Sequence, residues 1–120
     1  MANPNLPIPS NATCDIYHVG NGPPSPPNAA GVPCVLIPYS RNIKPAATVP
    51  GQYTHLLRVP AATDVRDTGN FAGPDTVYIP DKNGTPFLVI WVARQGRGTA
   101  LDHKEVVLLR QNPTYPTNDV

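Results

Sequence analysis

Proline is the feature of this sequence that most constrains its fold, because 17 of the 120 residues are proline. Each proline fixes the backbone angle φ and removes a hydrogen-bond donor, which disfavours helices and central strands alike. The longest windows without Pro or Gly are 10–19, 87–95 and 99–112, and only the last could hold a helix of ordinary length. We therefore expect one domain with one modest core, built mainly from strands.

Six segments combine alternating or continuous apolar residues with flanking turn residues, a pattern typical of β-strands. The predicted strands cover 13–19, 32–39, 53–60, 75–80, 86–94 and 104–111. The last of them could instead end a short helix from Ala100, but four consecutive apolar residues after a Gly-rich turn favour a strand. The sequence thus predicts an all-β fold, a small antiparallel barrel or sandwich of about six strands with extended Pro-rich termini.

The stretch PDKNGTPFLVIW, residues 80–91, gives the strongest local prediction. Asn83-Gly84 is expected to supply the positive φ of a tight turn, so the strands on either side should pair antiparallel. The strand after this turn is apolar on both faces, and it should be covered on both sides by a curled sheet or a neighbouring chain. Eight side chains are expected to be mostly buried: Leu56, Leu57, Phe87, Val89, Ile90, Trp91, Val106 and Leu108.

The remaining segments divide the chain into arms, a barrel domain and connectors. Residues 1–12 are predicted to form an extended arm, 13–111 the barrel domain, and 112–120 an extended tail. The Pro-rich connector at 20–31 is interpreted as a stiff spacer between strands, and binding to a partner's aromatic groove is the alternative. The long loop at 40–52 is of a length that is usually functional or mobile.

Nine Lys and Arg residues nearly balance eight Asp and Glu residues. This balance leaves no overall field to attract nucleic acid or an anionic membrane, so any such contact must be local. Two local candidates are visible: Arg41 and Lys44 in the loop at 40–52, and Arg94 and Arg97 in the turn RQGRG. A basic hairpin tip is the simpler interpretation of RQGRG, and contact with nucleic acid is the alternative.

The amino-terminal sequence lacks the basic start and apolar run of a signal peptide, and no segment approaches the ~18 apolar residues of a membrane span. We expect a soluble chain that is not exported through a signal and has no membrane partner. Cys14 and Cys34 are therefore expected to be reduced and mostly buried, with a disulfide as the less favoured alternative. Cys14 and His18 would lie roughly 13 Å apart on a strand, too far to share one zinc ion.

The polar residues do not form a pattern that indicates catalysis. In the segment TDVRD, Arg66 between Asp64 and Asp67 would keep both carboxylates ionised, so local salt bridges and Asx turns are the favoured interpretation. Asp102 and His103 are adjacent in the sequence, and adjacent residues on a strand point to opposite faces. We therefore expect no catalytic residue, no cofactor and no bound metal.

Seven segments follow one another in a particular order: TCDIYH, VPCVLIP, a long basic loop, YTHLLRVP, ATDVRD, DTVYIPDKNGTPFLVIWVARQGRG and KEVVLLRQ. In this order the chain resembles the tailed-bacteriophage head-closure or head-tail joining proteins over about residues 13–111. Three parts carry the resemblance most specifically: Thr54-His55 opening a strand, TDVRD before a strand with the residues VY, and an apolar closing strand after a Gly-Arg turn.

The resemblance implies a small, mostly β subunit of a sixfold or twelvefold ring in the virion neck, made in the host cytoplasm. Such a ring lies beneath the portal and adaptor, joins the filled head to the tail and helps to retain DNA. In that setting Arg41, Lys44, Arg94 and Arg97 are candidates for contacts with neighbouring subunits or with DNA. The extended arms and the two-sided apolar strand also suit a subunit that its neighbours complete.

Two alternatives to this interpretation stay open. The Pro-rich spacer at 20–31 and the Pro-rich ends depart from the family pattern, which leaves a tail-terminator or another neck or tail subunit as one alternative. The other is a small monomeric β-barrel that binds sugar or peptide, with Trp91, Tyr53 and Tyr78 lining a pocket. An enzyme is the least favoured class.

Overall fold

Six strands form where the sequence alternates or runs apolar between turns that contain Pro or Gly. The computed structural model describes residues 10–38 and 53–111, and within them it contains no helix. The strands are β1 (Ala12–Tyr17), β2 (Ala29–Pro38), β3 (His55–Pro60), β4 (Thr76–Ile79), β5 (Thr85–Gln95) and β6 (His103–Arg110). Every neighbouring pair is antiparallel, and the sheet closes in the order β1-β2-β3-β6-β5-β4. The predicted small antiparallel β-barrel is confirmed.

The strand order gives the barrel two different ends. Because β3 and β4 lie on opposite sides of the barrel, the connection at 61–75 crosses one end. The connections at 18–28 and 96–102 lie at this same end, which we call the loop end. We call the opposite end the arm end. It contains the start of β1, the end of β2, the start of β3, the turn between β4 and β5, and the end of β6.

The barrel interior is filled by apolar side chains that alternate along the strands. Its buried members are Cys14, Ile16, Cys34, Leu57, Val59, Val65, Val77, Ile79, Phe87, Val89, Val106 and Leu108. Val65 is the member that does not come from a strand, since it lies on the connection that crosses the loop end. Burial of each larger side chain stabilises the fold by about 1.5–3 kcal/mol. The crossing connection therefore also closes the core at the loop end.

The two cysteines are free thiols inside the barrel. Cys14 lies on β1 and Cys34 on the neighbouring strand β2. The hydrogen bond with Cys34 and burial both raise the pKa of Cys14. The Cys14 thiol is consequently protonated and unreactive at neutral pH.

Strand β5 is only partly covered on its outer face. Phe87 and Val89 point into the core, as expected, and Ile90 and Trp91, which were expected to be mostly buried, are largely covered but keep some exposed surface. The register with β6 shifts between Val89 and Trp91, which marks a bulge at Ile90. A bulge interrupts the alternation of side chains between the two faces of a strand. The apolar residues of β5 are therefore not shared equally between its inner and outer faces.

The strands β4 and β5 pair as predicted, but glycine is required in their turn for a different reason from the one expected. Gly84 does not have a positive φ, so that expectation is wrong. The turn is closed by the Gly84 N–H, which donates to the Asp81 carbonyl at 2.7 Å, and by the Asn83 N–H, which donates to the Asp81 carboxylate at 2.9 Å. A Cβ atom at position 84 would overlap the Ile79 carbonyl group, so close approach of the backbone requires glycine there.

The barrel begins earlier in the sequence than the predicted arm allowed. The Asn11 N–H donates to the Cys34 carbonyl at 3.0 Å, and the Asn11 side-chain oxygen accepts from the Leu36 N–H at 2.9 Å. Strand β1 then starts at Ala12. The last residues of the predicted arm at 1–12 therefore belong to the barrel. The rest of that arm, the loop residues Arg41 and Lys44, and the tail lie outside the described residues.

Candidate functional site

The hairpin between β5 and β6 carries the predicted basic tip, and one of its arginines is paired. Arg94 is exposed near the end of β5, and its Nε and Nη2 atoms donate to the two carboxylate oxygens of Asp102 at 2.8 and 2.6 Å. This bidentate contact raises the pKa of Arg94 and lowers the pKa of Asp102, because each charged side chain stabilises the charged form of the other. The charge of Arg94 is thus compensated within the hairpin.

Arg97 is the unpaired cation of this tip. It is exposed in the turn, and the ion pairs of residues 10–38 and 53–111 do not include it. The flanking Gly96 and Gly98 have φ angles of 68° and 80°, a left-handed backbone that favours glycine. The Thr99 hydroxyl donates to the Gly96 carbonyl at 2.6 Å and holds the turn. Arg97 is therefore a positive charge displayed on a defined turn, next to the exposed Leu101.

The adjacent Asp102 and His103 do not act as a pair. Asp102 binds Arg94, while Nδ1 of His103 lies 2.7 Å from the Leu101 carbonyl oxygen. The two side chains have different partners, in line with the prediction that they point apart. The hairpin therefore offers charge and apolar surface rather than an acid–base pair.

A loop at 67–74 projects from the connection that crosses the loop end. Its base is closed where the Asp75 N–H donates to the Arg66 carbonyl and the Arg66 N–H donates to the Asp75 carboxylate, both at 2.9 Å. The Arg66 side chain lies 3.4 Å from the Asp64 carboxylate. The predicted local salt bridge in TDVRD is thereby confirmed, and the loop has a fixed base.

The same loop is fastened to the bulge of β5. Asp67 accepts from the Val92 N–H through one carboxylate oxygen and from the Gly69 N–H through the other, both at 2.9 Å. The second contact is an Asx turn, as the sequence predicted. The Thr68 hydroxyl donates to the Ile90 carbonyl at 3.1 Å. The bulge thus presents backbone groups that the loop satisfies, and the loop continues along the edge of β5 beyond the residues that pair with β4.

His18 lies between two carboxylates at the loop end. Its Nε2 atom is 3.2 Å from Asp64 Oδ2, and its Nδ1 atom is 3.0 Å from Asp75 Oδ2. Asp75 is fully buried, and burial raises its pKa despite contacts with the Arg66 N–H and His18. The Nδ1 contact has the distance of an ion pair but not the angle of a hydrogen bond, and Asp75 Oδ1 has no partner.

This cluster fastens the crossing connection to the residue that follows β1. The two carboxylates approach opposite nitrogens of the ring, so they do not converge on one point. Residues 10–38 and 53–111 contain no group of three or more His, Cys, Asp or Glu side chains that could hold a metal ion. Sequence reasoning missed the cluster, since His18 and Asp64 are separated by 46 residues and only barrel closure brings them together.

Three large apolar side chains are exposed in the described part of the chain, and all three lie at the loop end. They are Val19, Phe71 and Leu101, with 52%, 106% and 59% of their surface exposed, and each comes from a different connection. Val19 lies close to the loop that carries Phe71, since a Cβ atom at Gly73 would be 3.2 Å from Val19 Cγ2. The loop end therefore combines apolar surface with the positive charge of Arg97.

Trp91 and Tyr78, two of the aromatic residues proposed to line a ligand pocket, lie far apart. Trp91, Tyr53 and Tyr78 are not among the residues that fill the barrel interior. Tyr78 pairs with Pro86, and Trp91 lies five residues further along β5, roughly 16 Å away. Tyr78 instead packs edge-on against Tyr17, with ring centroids 5.3 Å apart. The described barrel gives no support to a pocket lined by these three side chains.

Comparison of the chain with protein-family models, with curated proteins and with solved structures finds no match. Within residues 10–38 and 53–111, no helix is long and apolar enough to cross a membrane.

Proposed function

We propose that this chain is a structural subunit of the phage neck, a head-closure or head-tail joining protein. In this proposal, copies form a sixfold or twelvefold ring between the portal or adaptor and the tail, and the ring helps to retain packaged DNA. The observation that carries the proposal is the two-ended barrel. Exposed apolar side chains and Arg97 occupy one end, and the strand termini that connect to the segments 1–9, 39–52 and 112–120 lie at the other.

A closed barrel supports assembly through loops and arms rather than through strand addition. Each of the six described strands pairs with two neighbours, so the barrel has no edge strand, and addition of a further strand is disfavoured. Contacts with neighbours must then use its two ends and its outer faces. The Pro-rich sequence at 1–9 suits an arm for this purpose, because proline lowers the entropy lost when an extended segment docks.

Two unlike ends also suit a contact between identical subunits in which the arm end of one copy meets the loop end of the next. A contact between different surfaces of identical subunits is heterologous, and it generates a ring when the rotation closes. A ring of such subunits has one face toward the head and another toward the tail. This supports portal or adaptor proteins on one side and tail proteins on the other as partners.

The basic residues are proposed to contact an adjoining ring or DNA. Among them, Arg97 is favoured over Arg94, because Asp102 already compensates the charge of Arg94. Arg41 and Lys44 remain candidates on the loop outside the described residues. A contact of Arg97 with DNA phosphates would weaken as salt concentration rises, since phosphate binding releases counterions.

The test is the location and effect of the chain in virions of the phage that encodes it. Gold-labelled antibody against the barrel should mark the head-tail junction, and loss of the chain should leave DNA-filled heads without tails. A chain lacking residues 1–9 should fold but fail to restore joining. Normal joining without the chain, or label absent from virions, would refute the neck assignment. Light scattering that shows a monomer at every concentration would favour the binding-module alternative.

A further inference from the structure

The loop end has the properties of a docking surface for another copy of this chain. We propose that Val19, Phe71 and Leu101 of one copy bind the amino-terminal segment, residues 1–9, of a neighbouring copy. The inference rests on the proposed function, in which identical copies form a ring through a heterologous contact. It does not depend on where in a virion those copies are found.

Phe71 is presented by a fixed backbone. The Asn70 N–H donates to the Asp67 carbonyl at 3.0 Å, and the Gly73 N–H donates to the Asn70 carbonyl at 2.9 Å. The Asn70 side chain adds a bond of 2.8 Å to the Gly73 carbonyl. Two consecutive turns thus hold the residues around Phe71, although its own side chain is fully exposed. An aromatic side chain on an ordered loop loses little further entropy when a partner covers it, which is typical of an interface anchor.

Each of the other two connections at the loop end also carries one exposed apolar side chain. Val19 follows β1 and lies beside the Phe71 loop, and Leu101 lies on the β5–β6 hairpin. In the described part of the chain, large exposed apolar side chains occur at this end alone. Val19 and the loop of Phe71 lie side by side, and such a pair of exposed apolar side chains is the composition expected of a protein interface.

The amino-terminal segment has the matching chemistry. Residues 1–9, MANPNLPIP, contain three prolines and the apolar Leu6 and Ile8, and none of the side chains is charged. Pro-rich extended segments dock onto exposed aromatic surfaces, and their limited flexibility favours binding. The other two segments outside the described residues are less suited, because 39–52 carries Arg41 and Lys44 and 112–120 carries Asp119.

The position of this segment favours a neighbouring copy as the one that receives it. The segment joins the barrel at Ser10, at the arm end, whereas the docking surface lies at the loop end. Packing the arm end of one copy against the loop end of the next brings the two together directly. The same contact repeats with the next copy, as ring assembly requires.

Cysteine cross-linking between separate full-length chains tests the inference. Leu6→Cys is placed in one chain and Ala72→Cys, beside Phe71, in a second chain, and the mixture is oxidised. The native Cys14 and Cys34 are fully buried and should not compete. A mixed disulfide dimer should form about tenfold faster than with the control chain Asn83→Cys, whose exposed site lies in the β4–β5 turn at the arm end. Equal rates with both partner chains would overturn the inference.

A second variant assigns the effect to the aromatic ring. Adding Phe71→Ser to the Ala72→Cys chain should slow cross-linking about tenfold, since most of the buried apolar surface is lost. In sedimentation of the otherwise native chain, Phe71→Ser should weaken self-association while Ala72→Ser leaves it unchanged. Cross-linking found only within one chain that carries both cysteines would show binding within the copy and refute the proposal.

The experiments distinguish failure of the docking surface from failure of the neck assignment. Cross-linking without virion label would retain the surface and remove the neck assignment. Virion label without cross-linking would do the reverse.

Discussion

The two ends of this barrel are held by different kinds of connection. At the loop end, Val65 on the crossing connection closes the core, and the carboxylates of Asp67 and Asp75 on the same connection accept from the N–H groups of Val92 and Arg66. At the arm end, Asn11 and Thr54 tie the entering and returning chain to the strands, and only the short turn between β4 and β5 joins two strands within the described residues. The comparison teaches that the loop end is fixed by its own residues, whereas the arm end is the junction to segments outside the described barrel.

The largest effect is expected from Gly84→Ala, which tests the arm end. The added Cβ would overlap the Ile79 carbonyl group, so the turn must open, and we expect a loss of about 3 kcal/mol in the free energy of unfolding. Urea denaturation followed by circular dichroism measures it. Gly22→Ala is the control at the loop end, because no atom lies within 4 Å of a Cβ there. Equal stability of both variants would contradict the close approach seen in the turn.

A smaller loss is expected at the loop end from Asp75→Ala. This change removes the acceptor of the Arg66 N–H, and an unsatisfied buried donor costs about 1–3 kcal/mol. Asp75→Asn keeps an acceptor and removes a buried charge, so it should retain most of the stability. Hydrogen exchange should show faster exchange at 61–75 in the alanine variant alone. If the two variants lost equal stability, the contact with Arg66 would not be what holds the connection.

Acidification should affect the two ends in opposite directions. Burial, assisted by the charge of Arg110, lowers the pKa of His55 at the arm end below its usual 6.5. Its contribution to stability is present above pH 6.5 and is lost as pH falls toward the folded-state pKa. Burial raises the pKa of Asp75 at the loop end above its usual 3.8. Its contribution is present below that value and is lost as pH rises through the folded-state pKa.

The measurement is the free energy of unfolding between pH 7.5 and 5. Wild-type stability should rise with pH over this range, and His55→Gln should flatten the rise. Asp75→Asn serves as the matched variant at the other end and should leave the His55 part of the slope in place. An unchanged slope in His55→Gln would contradict the assignment to His55.

The smallest effect on stability is expected at the hairpin tip. Arg97→Gln should leave the melting temperature unchanged, and Arg94→Gln should lower it only slightly, because its ion pair is exposed to solvent. The order of the two variants should be reversed for binding to DNA. If the tip contacts DNA, Arg97→Gln should reduce the salt dependence of binding more than Arg94→Gln does. A larger binding loss for Arg94→Gln would mean that its pair with Asp102 opens on contact.

The strands were predictable because their signals are local. The apolar run at 86–94 and the turn before it predicted β5 and its pairing with β4, and β6 begins one residue before its predicted start. The first residues of β2, from Ala29 to Gly31, were assigned to the Pro-rich connector. Gly31 has a φ of 61° at an irregularity in the β1–β2 register, which a pattern of alternation does not reveal.

The clusters at the loop end were not predictable, because they depend on closure of the barrel. Asp64 and Arg66 were expected to pair locally, and they do. The approach of His18 to Asp75 depends instead on β1 pairing with β4, which are far apart in sequence. Similarly, the sequence shows that Phe71 lies in a polar loop, but not that the loop is pinned to the bulge of β5 with this ring left exposed.

The place of β6 in the strand order has a consequence for biosynthesis. Strand β6, the last of the six described strands to leave the ribosome, lies between β3 and β5, so it is inserted between strands that have already been made. Until residues 103–110 emerge, β3 and β5 each present an unpaired edge, the kind of edge to which other chains add during aggregation. A nascent chain stalled before His103 should therefore be protease-sensitive and dependent on chaperones, and release of the last eight strand residues should remove both properties together.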